Sequence, residues 1–130
     1  MRRSHLPFTA AVLAGVLIDL ALHLPAVFQP AEALARLGQA PAASPDLRWV
    51  AFASWLAVLV AAFYLPGGLA PYRYRLGAWL AVWGRAACAA FFLLLYRDHT
   101  ALGWLNLGLF VVLLPLLVVA LRARPRPDVA

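Results

Sequence analysis

The sequence has no lysine, a single cysteine and few charges of either sign: eleven basic residues, all arginine, stand against five acids. Each scarcity excludes something. Cys88 is alone, so no internal disulfide can form, and inside an apolar run a small packing role is expected of it. With 12% charged and 65% hydrophobic residues the chain could not cover a soluble surface. No basic stripe with interleaved aromatics occurs outside the apolar runs, which argues against nucleic-acid binding. A nucleophile–base pair, a glycine-rich phosphate loop and a cysteine ligand set are also missing. No catalytic residue, metal or cofactor is therefore expected. The class that remains is an all-α integral membrane protein, and 130 residues is the length of one domain.

What is present is four long apolar runs, at about 6–28, 47–65, 76–96 and 101–121. A helix rises about 1.5 Å per residue, so each matches the roughly 30 Å hydrocarbon core of a bilayer. The first run, preceded by Arg2 and Arg3, has a signal-like Ala31-Glu32-Ala33 beyond it. Asp19 and His23 interrupt it and it exceeds a signal core, so a retained span is expected. Its leucines at 13, 17, 20 and 24 form one stripe, expected to face lipid. Val12, Gly15, Asp19, His23 and Ala26 form the other, expected to face inward. Pro30, Glu32, Leu34, Leu37 and Gly38 predict a short surface helix with proline at its start and glycine at its stop. The loop after it offers Ser44 as a cap for the second span. That span, with Trp49 and Tyr64 at its two interfaces, should end at Pro66-Gly67-Gly68. Arg97 to Thr100 is a tight turn that makes spans three and four antiparallel neighbours, with Thr100 or Asp98 as the cap. Pro115 is expected to bend the last span, and residues 122–130 form a basic tail expected to be disordered.

The third span carries the anomaly. Arg85 lies near its middle, where a cation costs on the order of 3 kcal/mol against lipid. Ala78, Ala81, Cys88 and Ala89 share its face, while Leu76, Leu80, Trp83 and Leu94 lie opposite. Small residues let a neighbouring helix approach, so this face should pack inward. Asp19, His23, Arg85 and Asn106 are the four polar residues inside spans. Counted from the same membrane side, Asp19 lies about 20 Å up, Arg85 about 14 Å and Asn106 about 22 Å, so one cluster is feasible. It reads either as a ligand or proton site, or as a buried Asp19–Arg85 pair that fixes register, with Asn106 donating across helices. His23 as a haem ligand would need a second histidine at its depth, and neither His5 nor His99 fits. Asp98, His99 and His23 match no metal-ligand spacing. Trp79 and Trp83, one turn apart, read as a pocket wall for a flat ligand such as a quinone, or as packing on lipid or a neighbour.

Seven arginines, at 2, 3, 73, 75, 122, 124 and 126, fall on one side of the four spans, and those at 36, 48 and 97 on the other. The positive-inside rule then places both termini in the cytoplasm. The plan of four spans, with FQPAEALARLG after the first and PYRYRLGAWLAVWGR leading into the third, resembles the DoxX-like family of small bacterial membrane proteins. That resemblance implies a four-helix bundle in the inner membrane, with some relatives tied to quinone-linked oxidoreductase systems. It supplies no catalytic residues. The emopamil-binding and sigma-2-like group shares the four-helix plan and places acids around a lipophilic pocket; Asp19 is the matching residue type, and a second intramembrane acid is missing. The expected function is a non-catalytic accessory or assembly subunit, in contact with lipid and with other subunits or its own copies. The rival is a protein that binds a quinone or sterol-like ligand at the polar cluster.

Overall fold

The computed structural model describes residues 5–36, 38, 47–95 and 97–122. The helices are α1 (Leu6–Phe28), α2 (Pro30–Arg36), α3 (Leu47–Leu69), α4 (Arg75–Ala90) and α5 (Thr100–Arg122). A π-helical turn, Phe91–Leu95, extends α4, and a 3-10 turn, Arg97–His99, leads into α5. No strand occurs among the described residues. The protein is all-α. Four helices are long and apolar enough to cross a membrane, with mean hydropathies of 2.1, 1.9, 1.8 and 2.5 along the chain. Ser44 and the tail from residue 123 lie outside the described residues.

The short helix forms as its ends dictate. Proline at its first position loses an N–H that a helix start does not use, and Gly38 adopts φ 78 just past its end. The Gln29 carbonyl accepts from Ala33 N–H at 3.0 Å, so chain direction is kept across Pro30. Leu34 is its buried residue, and Glu32 and Arg36 are 3.9 Å apart on the exposed side.

The chain forms two compact units, Met1–Leu13 with Tyr64–Ala130, and Ala14–Phe63. In the first unit α4 lies along α5. Buried on α4 are Ala78, Ala81, Val82, Arg85 and Ala89, and on α5 Gly103, Asn106, Leu113, Leu117 and Ala120. Each set recurs at three- and four-residue steps and forms one helical face. Opposite it Leu76 is 74% exposed and Trp83 54%. Cys88 departs from expectation and is exposed. At about 100° per residue it falls beyond the edge of an arc that Ala81 and Val82 bound, so Val82 takes the packing role.

Pro66-Gly67-Gly68 does not stop α3, which continues to Leu69. The glycines permit contact rather than termination. A Cβ at Gly67 would run into the backbone of Gly77 and Ala78, and one at Gly68 into the Val12 side chain. The helix closes with Ala70 N–H on the Pro66 carbonyl at 3.0 Å. The turn between α4 and α5 is likewise tighter than an open loop. Leu93, in the π-helical turn, sits where a Cβ on Gly103 would be, so the widened turn lets the two backbones close together before the chain reverses.

In the second unit the buried residues of α1 are Gly15, Val16 and Ala26, and Leu17 and Leu24 are exposed. Asp19 and His23 are half-buried. Of the first stripe Leu13 is also exposed and Leu20 is half-buried, and of the second Val12 is also buried.

Candidate functional site

Arg85 is drawn inward because the small residues around it leave room for α5. It is 5% exposed and Asn106 is 8% exposed. Arg85 Nη1 donates to Asn106 Oδ1 at 3.2 Å, and Asn106 Nδ2 donates to the Leu102 carbonyl of its own helix at 2.9 Å. Asparagine is thus the acceptor across the helices, not the expected donor. Chemistry requires this, since a guanidinium has donors and no lone pair to offer. Both ends of the amide are engaged, which fixes its orientation.

Tyr64, on the last turns of α3, is the third member. Its ring centroid lies 5.7 Å from the Arg85 guanidinium carbon, within the range of a cation–π contact. Its hydroxyl occupies the space that a Cβ on Gly84 would need. The sequence reading placed Tyr64 at a membrane interface and missed this role. The available signal was Gly84 itself: a glycine beside a buried arginine marks a spot where a neighbour approaches. The Arg85 Nε is buried and makes no hydrogen bond among the described residues, so the hydrogen bond to Asn106 runs through a terminal nitrogen.

Asp19 and His23 belong to the other unit, on one face of α1 at i and i+4. Of the four sequence candidates, Arg85 and Asn106 are brought together within the first unit. The Asp19–Arg85 pairing stays an expectation of the sequence. Trp83 packs on Phe110 of α5 with ring centroids 5.5 Å apart, and Trp79 is half-buried. His99 meets Phe92 edge-on at 6.1 Å. Among the described residues no three His, Cys, Asp or Glu side chains come together in a way that could hold a metal ion. An open apolar groove on α1 is lined by Leu20, Ala21, Leu24, Pro25 and Phe28, none of the polar candidates among them.

These features define an all-α multi-pass membrane protein with a buried arginine–asparagine–tyrosine contact in its first unit. No family model, curated protein or solved structure matches the chain. The resemblance to DoxX-like proteins rests on the sequence features alone.

Proposed function

We propose that this protein is a non-catalytic accessory or assembly subunit of a larger complex in a bacterial inner membrane, with both termini cytoplasmic. A redox or quinone-linked complex is the kind that the DoxX-like resemblance implies. The observation that supports this reading is the closure of the polar contact. Arg85 is engaged by Asn106 and Tyr64, and the Tyr64 hydroxyl fills the space beside Gly84. A ligand site needs a polar group that a ligand can reach, whereas this one holds its own helices in register.

The parts left for contact are the outer faces. Only 17% to 28% of the most apolar window of each long helix is buried. Trp49, Phe52 and Phe63 stand exposed on α3, and Leu76, Leu80 and Trp83 on α4. Such faces suit lipid and the apolar faces of other membrane helices. Purification in mild detergent, with identification of every co-migrating protein and lipid-soluble molecule, tests the proposal. A protein partner at fixed stoichiometry is the expected result. A co-purified quinone or sterol-like molecule that is lost in Arg85→Leu would overturn it in favour of a ligand-binding protein.

A further inference from the structure

One end of the first unit is pinned and basic. The connection between α3 and α4 is held there by three contacts. Thr9 Oγ1 donates to the Gly68 carbonyl at 2.7 Å, the Tyr72 hydroxyl donates to the Ala120 carbonyl, and His5 meets the Tyr72 ring edge-on at 6.3 Å. Pro71 is fully buried beside them. The Tyr72 bond brings the neighbouring Arg73 and Arg75 to the last turn of α5, where Arg122 lies two residues beyond Ala120. All three arginines are exposed. Arg73 lies over the Tyr74 ring, 5.5 Å from its centroid. At the other end of α4, Arg97 is followed directly in sequence by Asp98. Among the described residues, three exposed arginines therefore gather at one end.

We propose that this end is a docking surface for the headgroups of anionic phospholipids. Charge complementarity selects an anion, and the helix below selects a lipid. Leu76, Leu80 and Trp83 continue from Arg75 down α4 as an exposed apolar strip, which suits the acyl chains of a molecule whose phosphate lies among the arginines. Tyr74 caps α4 without a side-chain hydrogen bond, and the first turn carries no acid, so its amides favour a negative group as well. A zwitterionic headgroup has the same phosphate but brings its own cation, and the surface discriminates against it. Each arginine near an anionic surface contributes about a fivefold preference.

The test uses the full chain in mild detergent, offered phosphatidylglycerol and phosphatidylcholine in equal amounts, with retained lipid read by native mass spectrometry. Phosphatidylglycerol should be retained at least about tenfold over phosphatidylcholine, from the per-arginine preference. Arg73→Gln, Arg75→Gln and Arg122→Gln should each lower that preference up to about fivefold, and Arg97→Gln should leave it unchanged. The three side chains are exposed, so each single variant should keep its helical circular dichroism and can be read by itself. Equal retention of the two lipids would overturn the proposal, as would an Arg97→Gln loss as large as the others. Full displacement of phosphatidylglycerol by inorganic phosphate would instead assign the surface to a free anion.

Discussion

Replacing Asn106 by leucine isolates the contribution of the polar contact between α4 and α5. The change removes the oxygen that accepts from Arg85 Nη1 at 3.2 Å and keeps the Tyr64 ring against the guanidinium. Two magnitudes compete. Breaking a buried ion pair in a soluble protein costs about 3–5 kcal/mol, because an uncompensated charge remains. Cross-helix polar contacts in membranes average about 0.6 kcal/mol and reach about 1.7, because the unfolded chain also finds partners. The membrane value governs, because the guanidinium keeps its contact with the Tyr64 ring. Asn106→Leu should therefore cost about 1 kcal/mol. Arg85→Leu strands no charge and keeps the Asn106 bond to Leu102, so about 1 kcal/mol is expected for it. The double variant should fall short of the sum by about 1 kcal/mol. Unfolding in mixed detergent micelles, followed by circular dichroism, measures all three. Losses that add within about 0.5 kcal/mol would show that the two residues do not act together.

The same assay separates two glycines that look alike in sequence. Gly67→Ala places a Cβ against the backbone of Gly77 and Ala78, which no rotamer can relieve, so overpacking of about 1–3 kcal/mol should exceed a helix-propensity gain of about 1. Gly108→Ala meets nothing within 4 Å and should be neutral or stabilising by up to about 1 kcal/mol; a loss there would show a neighbour at that face. Tyr72→Phe removes the hydrogen bond to Ala120 and should lower stability by about 0.5–1.5 kcal/mol, whereas an unchanged midpoint would remove that tie from the basic end. Reporter fusions at Ala42 and at the C-terminus should report opposite compartments, and the same compartment for both would refute the proposed topology.

Hydrophobic periodicity and length were enough for the class, the four long helices and the short one between the first two. Those features depend on composition along a single segment: an apolar run must be helical in lipid, and Pro30 and Gly38 bracket a helix by backbone rules that act locally. The inward face of α4 was legible for the same reason, since Arg85 among alanines has a direction on the wheel. The errors fall where a residue's role depends on a partner distant in sequence. Pro66-Gly67-Gly68 has the composition of a stop, yet the close approach of Gly77 and Val12 makes the glycines contact points within a longer helix. The contact of the Tyr64 ring with Arg85 is likewise long-range, and the aromatic-belt composition of α3 does not announce it. Cys88 is on the right side of the wheel by angle and on the outside by packing, because the contact arc is centred toward Val82. Sequence alone determined which segments leave water. Only the tertiary structure decided which side chain satisfies Arg85, because that partner is chosen by geometry between helices, and no local preference encodes it.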